Sequence, residues 1–214
     1  MQNPWLNLSG PPYTLQEDMD LISERLLPHL KLDVLPCPFL GNIEKAKVVV
    51  LLLNPGFEWQ DLAFSMTHEK YYRECLASLK QESERPFFIF DKELGFSGGY
   101  RWWAKVTKKL IEDGVTLDDL SEKMMAVQYF PYPSVTYKGN KNILPSQNYS
   151  FYLVREAIRR KLPIVMMRSE KLWLDAVPEL KEASYFKAHS SRATALSPNN
   201  LGEEEYQKIL SALK

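Results

Sequence analysis

The chain has 214 residues, enough for one sizeable hydrophobic core and too few for two ordinary domains. Its 27 Lys and Arg residues balance its 27 Asp and Glu residues, so net charge does not indicate a nucleic-acid or membrane partner. Two cysteines and three widely separated histidines exclude a disulfide framework and a cluster held by four thiolates. We therefore expect no metal and no cofactor.

The N-terminal segment is predicted to be an arm and a helix within residues 1–40. The first dozen residues are rich in Pro, Gly and Asn, which is typical of a surface arm. A helix is predicted from Thr14 to Leu30, where Thr14 and Glu17 form a capping-box pair. There is no signal-peptide pattern and no apolar run of membrane length, so we expect a cytoplasmic protein without a membrane partner.

The first buried strand is predicted at residues 47–53. Six apolar residues in a row, Val48 to Leu53, are typical of the centre of a parallel sheet with helices on both faces. Residues 57–100 are interpreted as an insertion that contains a helix around Glu69 to Gln81. Further strands are predicted near residues 124–130, 163–167 and 184–196, with helices before, between and after them. This alternation predicts a single doubly wound α/β domain over residues 1–214.

The first strand ends on Asn54-Pro55-Gly56. Proline restricts the asparagine before it to an extended backbone, and glycine allows another group to approach closely. Ligands of open parallel sheets bind beyond the carboxyl ends of the strands, where a rigid Asn54 amide can orient a water. The same three residues are also ordinary turn chemistry at the end of a strand.

Two segments resemble motifs of the uracil-DNA glycosylase superfamily. The stretch Leu52-Leu53-Asn54-Pro55-Gly56 is similar to the first motif of the mismatch-specific members, which is a glycine, an apolar residue and then Asn-Pro-Gly. The segment Arg101 to Val106 resembles the Arg-Phe-Trp-Lys-Val segment of the same members. The chain departs from the first motif at Leu52, which stands in place of the glycine.

The last motif of the superfamily has its counterpart in Ser197-Pro198-Asn199-Asn200-Leu201, just before the terminal helix. In the family this motif begins with His or Asn, and this chain has Ser197 there. The resemblance runs from about Ile43 to the C-terminus and is interrupted by residues 57–100.

The resemblance implies a three-layer α/β/α fold around a four-stranded parallel sheet of strand order 2-1-3-4. It implies hydrolysis of the N-glycosidic bond of a deaminated or mismatched base, with duplex DNA as the partner. Asn54 would position the attacking water and Ser197 would support the departing base. The flipped base would stack on an aromatic residue, for which Phe64 has the usual separation from the first motif. The implied substrate-binding residues are Pro55, Gly56, Phe57, Phe64, Tyr132, Asn199, Asn200 and Leu201.

The later part of the chain is basic, since residues 137–192 contain eleven Lys and Arg against five Asp and Glu. Such an excess is typical of a phosphate-facing surface and equally of solvated helix faces. The candidates for phosphate contacts are Lys138, Lys141, Arg159, Arg160 and Arg192.

Two other functions stay open. A non-catalytic member of the same fold would bind a nucleobase, a nucleotide or a partner protein in the same cleft. Residues Gly95 to Gly99 also fit the G-x-S-x-G pattern of serine esterases, and Asp175, Glu179 and His189 follow in triad order. However, four residues separate the segment GFSGG, which contains Ser97, from the preceding apolar run. A nucleophile elbow follows its strand directly.

Overall fold

The structure of the protein is a computed structural model that describes residues 1–190 and 194–214. A five-stranded mixed sheet forms the centre of the fold. The strand order is β1-β3-β2-β4-β5. Strands β2 to β5 run parallel to one another, and β1 pairs antiparallel with β3. The strands are β1 Phe39–Leu40, β2 Val48–Leu52, β3 Met124–Gln128, β4 Ile164–Met166 and β5 Phe186–Lys187.

The α/β class is confirmed, but the predicted four-stranded, fully parallel sheet is wrong in strand number and direction. The additional strand β1 places Phe39 opposite Val127 at one edge of the sheet. It is only two residues long, and no periodic pattern can develop over that length. At the other edge β5 covers two residues of the predicted range 184–196, and Arg192 in that range lies outside the described residues.

Helices cover both faces of the sheet, and in the described ranges they are α1 Gln16–Met19, α2 Trp59–Thr67, α3 Glu69–Lys80, α4 Gly98–Glu112, α5 Leu117–Lys123, α6 Gln147–Arg159, α7 Glu170–Ala176, α8 Pro198–Leu201 and α9 Glu203–Leu213. Within residues 1–190 and 194–214, no helix is sufficiently long and apolar to traverse a membrane. The predicted helix at Glu69 to Gln81 is confirmed.

The side chains of β2 explain why its sequence is apolar throughout. Val49 and Leu51 join a core cluster with α6 and α7, whereas Val48, Val50 and Leu52 join a second cluster with α4 and α9. Every residue of the strand is buried. The strand therefore lies at the centre of a three-layer arrangement, and the turn that follows it lies at the carboxyl ends of the parallel strands.

The predicted helix from Thr14 to Leu30 is wrong, because only α1 and a short 3-10 helix at Leu27–His29 form there. Backbone groups between these two elements bind a distant loop instead of continuing a helix. The Ser23 N–H donates to Asn140 Oδ1 at 2.8 Å, and the Asn140 amide donates to the Leu21 carbonyl at 3.0 Å. Tertiary hydrogen bonds thus override the local helical pattern.

Gly41, directly after β1, is a position that requires glycine. Its φ is +93°, and a Cβ there would clash with the Met124 carbonyl oxygen and lie 2.8 Å from Met125 Cα. We expect Gly41→Ala to lower the free energy of unfolding by about 2 kcal/mol, measured by urea denaturation. Gly10→Ala is the matched control, because a Cβ at Gly10 meets nothing within 4 Å. Equal stability of the two variants would contradict the assignment.

Candidate functional site

A cavity of about 560 Å³ opens at the carboxyl ends of three neighbouring strands. Asn54 follows β2, Gln128 ends β3 and Arg168 follows β4, and all three line the cavity. Its other walls come from α3, from the first residues of α4 and from the segment 34–40. The volume lies within the range of about 300 to 1,000 Å³ that is typical of small-molecule sites.

The Asn54 amide is fixed in one orientation at the mouth of this cavity. Its Nδ2 donates to the Pro55 carbonyl at 2.9 Å and to Ser134 Oγ at 2.8 Å. Because a carbonyl only accepts, the amide nitrogen must face Pro55, and Oδ1 must point elsewhere. In the part of the chain that the structure describes, no group donates a hydrogen bond to Oδ1. This oxygen can therefore accept a hydrogen bond from a water or a ligand.

The Asn54 turn is attached to the loop after β3. Gly56 forms a parallel bridge with Ser134, and the Ser134 N–H donates to the Pro55 carbonyl at 3.2 Å. Pro55 and Gly56 line the cavity, and a Cβ at Gly56 would meet nothing within 4 Å. The backbone at Gly56 is consequently open to a close approach by a ligand.

Phe57 is the aromatic residue after the turn that lines the cavity. Its ring centroid lies 5.2 Å from that of Trp59, which is 68% exposed. The Lys31 ammonium lies 5.5 Å from the Phe57 centroid and 4.9 Å from the Trp59 centroid, within the range of a cation–π interaction. Phe57 therefore supplies an apolar ring at the mouth, beside a positive charge.

Two aromatic residues in the predicted site do not line the cavity. Phe64 packs against Phe96, with the ring centroids 4.0 Å apart. Tyr132 is fully buried, its hydroxyl donates to Asp18 Oδ2 at 2.6 Å, and it accepts from the Leu15 N–H at 3.2 Å. Burial is the main cause that raises the pKa of Tyr132. Its contacts are those of a structural residue in the core.

The turn predicted as the last motif also lies outside the cavity lining. Pro198–Leu201 form α8, with Ser197 as its N-cap residue and Leu201 buried in the core. Asn200 connects the turn to the segment after β5: its Oδ1 accepts from the Ser190 N–H at 3.0 Å, and its carbonyl accepts from the His189 N–H at 2.8 Å. Asn199 is exposed. The structure does not bring this turn together with Asn54 in one cavity.

Asp61 joins α2 to α4 at the cavity mouth. Its Oδ2 accepts from the Glu58 N–H at 3.1 Å, and its Oδ1 accepts from the Gly98 N–H at 3.2 Å. Arg101 forms an ion pair with Glu58 beside it. Burial raises the pKa of the Asp61 carboxyl above its ordinary value, although the two N–H groups and the Arg101 charge favour the ionised form.

We expect Arg101→Met to raise the pKa of Asp61 further, because it removes a positive charge that favours the carboxylate. A carbon-13 NMR titration of the Asp61 carboxyl measures this shift, and Arg85→Met, which removes an Arg paired with Asp118, is the control. An unchanged or lowered pKa in Arg101→Met would contradict the expectation.

The raised pKa of Asp61 also makes the stability of the fold depend on pH. Since the folded-state pKa is raised, the carboxyl stabilises the fold at acidic pH, and this contribution is lost as pH rises through the folded-state pKa.

Gln128 and Ser78 are buried polar residues of the cavity that the sequence analysis did not identify. Gln128 is 9% exposed and Ser78 is 4% exposed. Within the described ranges, Gln128 Oε1 and Ser78 Oγ have no hydrogen-bond partner. The sequence could have indicated Gln128, because it is the one polar residue in the strand sequence MMAVQ. Ser78 lies on α3 in the predicted insertion, and no sequence pattern there indicates a cavity residue.

Two cysteine thiols lie in the cavity wall. Cys37 and Cys75 both line it, and burial raises the pKa of Cys37 to about 12. Burial also raises the pKa of Cys75, with a smaller effect from the neighbouring Cys37. The residues described do not include a group of three or more His, Cys, Asp or Glu side chains that could hold a metal ion.

Ser97 has a structural role that differs from that of an esterase nucleophile. It is fully buried, and its Oγ accepts from the Tyr100 N–H at 3.1 Å as the N-cap of α4. A 3-10 helix at Lys92–Leu94 precedes it, where a nucleophile elbow has a strand. Glu179, one of the candidate acids, pairs with Arg155.

The basic candidates fall at two places. Lys138 and Lys141 are exposed on the loop after β3, which also carries Ser134 at the cavity mouth. Arg159 and Arg160 lie at the end of α6, directly before β4. They are therefore near the amino ends of the parallel strands, opposite the ends that carry the cavity. Arg159 pairs with Glu156, and Arg160 donates to the Glu44 carbonyl at 3.1 Å.

Comparison with known protein families, curated proteins and solved structures found no match to this chain. The similarity to the uracil-DNA glycosylase superfamily therefore depends on the quoted motifs.

Proposed function

We propose that this chain is a DNA glycosylase of the uracil-DNA glycosylase type, which hydrolyses the N-glycosidic bond of a deaminated or mismatched base. The observation that carries the proposal is the Asn54 amide at the mouth of the cavity, fixed by Pro55 and Ser134 with Oδ1 left to accept. The relative order of the parallel strands, β3-β2-β4-β5, further supports this family.

In the proposed reaction, the base leaves the duplex and enters the cavity past Phe57. Asn54 Oδ1 accepts a hydrogen bond from a water and directs the water oxygen toward C1′. The C1′–N bond breaks, its electron pair leaves with the base, and the water oxygen forms the new bond to C1′. The water proton passes to the departing base or to solvent, because an amide is not a base.

The departing base is recognised by polar groups of the cavity wall. Gln128 Oε1 accepts from an N–H on the edge of the base, which would satisfy an otherwise unpaired buried acceptor. Arg168 is exposed where β4 ends, and it would contact a phosphate outside the mouth. Lys138 and Lys141 on the neighbouring loop would add further phosphate contacts.

A non-catalytic nucleobase-binding protein is the second candidate. The observation that favours it is the position of the Ser197 turn outside the cavity lining, so that no side chain of that turn reaches a departing base there. The same cavity would then hold a base or nucleotide without cleaving it.

The experiment that separates the two candidates uses labelled duplex oligonucleotides that carry uracil, hypoxanthine, xanthine or a mismatch. Alkali after incubation cleaves the strand wherever a base has been released. Cleavage by the wild-type protein supports the glycosylase. Binding of a free base without strand cleavage on any substrate supports the binding protein.

A further inference from the structure

We propose that α2 is a lid over the cavity, held shut by contacts with residues 96–101. The lid opens to admit a ligand and closes behind it, whichever ligand the cavity binds, so the proposal goes beyond the proposed reaction. It begins from one feature of α2, which is that none of its nine residues is buried. Asp61 on this helix and the N-cap residue Glu58 nevertheless line the cavity.

The helices on either side of the lid are anchored in the core, whereas α2 is not. Segments with few buried apolar contacts open locally at a much lower free-energy cost than global unfolding. The next helix, α3, buries Ser78 and Leu79, and Leu79 joins the core. The helix α4, against which α2 is held, buries five of its residues. The lid can therefore move while both of these helices stay in place.

Arg101 is the main latch between α2 and the start of α4. Its guanidinium pairs with the Glu58 carboxylate and also donates to the Phe96 carbonyl. The side chains of Arg101 and Glu58 are 48% and 50% exposed, and an ion pair that is this exposed contributes little to stability. The latch can therefore open and re-form without unfolding the rest of the chain.

Two further contacts hold the lid along its length. Asp61 Oδ1 accepts from the Gly98 N–H at 3.2 Å, and the ring centroids of Phe64 and Phe96 lie 4.0 Å apart. Like the contacts of the latch, both end on residues 96–101. All of them therefore break together when α2 moves away from that segment, and the cavity then loses the part of its wall that α2 supplies.

The chain has a fixed point on each side of the lid. Before it, Gly56 is bridged to Ser134. After it, His68 has an extended backbone, and its Nδ1 accepts from a backbone N–H of α3 at 3.2 Å as the N-cap of that helix. The Lys31 ammonium lies 4.9 Å from the Trp59 ring at the first residue of α2, where a movement about the preceding fixed point is smallest. The backbone therefore bends directly after Gly56 and at His68.

The two cysteines of the chain report whether the lid is open, because Cys37 and Cys75 both line the cavity. The measurement is the rate at which an excess of 4,4′-dithiodipyridine, a neutral aromatic disulfide, modifies them in the full chain. Arg101→Met removes the latch and should raise this rate about threefold. Phe64→Ala removes the aromatic contact and should raise it about fivefold. The control is Arg85→Met, which removes an exposed ion pair outside the cavity and should leave the rate unchanged.

Urea separates opening of the lid from global unfolding. Opening exposes little surface, so the modification rate should depend only weakly on low urea concentrations. Hydrogen exchange of the wild-type chain is a second readout, in which the amides of α2 should exchange at least about a hundredfold faster than those of residues 103–110 in α4. Arg101→Met should accelerate the exchange of α2 and leave that of α4 unchanged.

Three results would each overturn the lid. The first is modification of Arg101→Met and Phe64→Ala at the wild-type rate, and the second is a rate that rises with urea as steeply as global unfolding does. The third is exchange of α2 as slow as that of α4 in the wild-type chain, which decides the question even if a variant does not fold. None of these measurements depends on base release, so the lid and the proposed reaction are tested separately.

Discussion

Replacing Asn54 with alanine is expected to lower the rate of base release about a hundredfold to a thousandfold. The amide is held at two points, by the Pro55 carbonyl and by Ser134 Oγ, so its oxygen is oriented before substrate binds. Preorganised groups of this kind act chiefly in the transition state, so kcat should fall with little change in substrate affinity. Single-turnover cleavage of the best oligonucleotide measures the rate directly.

Two further variants separate positioning from folding. Ser134→Ala removes one of the two contacts of the Asn54 amide and should lower the rate about tenfold, less than the loss of the amide itself. Asn148→Ala, on an exposed position of α6 outside the cavity lining, should leave the rate unchanged. A rate for Asn54→Ala within about threefold of wild type would remove Asn54 from the proposed mechanism.

Asp18→Ala is expected to lower the free energy of unfolding by about 2 to 5 kcal/mol, because two buried neutral donors lose their acceptor. Asp18 is fully buried and accepts two hydrogen bonds, from the Tyr132 hydroxyl at 2.6 Å and from the Ser146 N–H at 3.1 Å. The variant leaves both donors without their acceptor in the core. Urea denaturation followed by circular dichroism measures the loss.

Asp20→Ala is the control for Asp18→Ala, because Asp20 lies two residues away and is exposed. It should change the free energy of unfolding by less than about 0.5 kcal/mol. A small loss for Asp18→Ala as well would show that the Tyr132 and Ser146 donors find other partners. The connection of the N-terminal arm to α6 would then depend on apolar packing alone.

The parts of the fold that the sequence predicted are those with a strong local pattern. The unbroken apolar run at β2 and the helices predicted between the strands, where α4 and α6 lie, correspond to elements that the structure contains. In contrast, α2 has no buried residue, and β1 has two residues, so neither produces a periodic signal. Such elements are held by contacts with distant segments, which a local pattern does not report.

The residues of the site divide in the same way: a local pattern predicted some of them, and contacts between distant segments place the others. Asn54 to Phe57 were found because a proline and a glycine after a buried strand carry local information, and these residues line the cavity. Phe64 was placed by its separation along the chain from the first motif, and Tyr132 by its position near the end of the second predicted strand. The structure directs both rings elsewhere. Ser78 joins the cavity only because α3 packs over the sheet edge, which its neighbours in sequence do not predict.

The two outer strands, β1 and β5, each contain only two residues. An exposed strand edge is a template on which another chain can add a strand through main-chain hydrogen bonds. With edges this short, a foreign strand finds too few unpaired N–H and C=O groups to form a stable ladder. The sheet is thus protected against edge-to-edge aggregation, even though its central strand β2 is as apolar as many aggregation-prone segments.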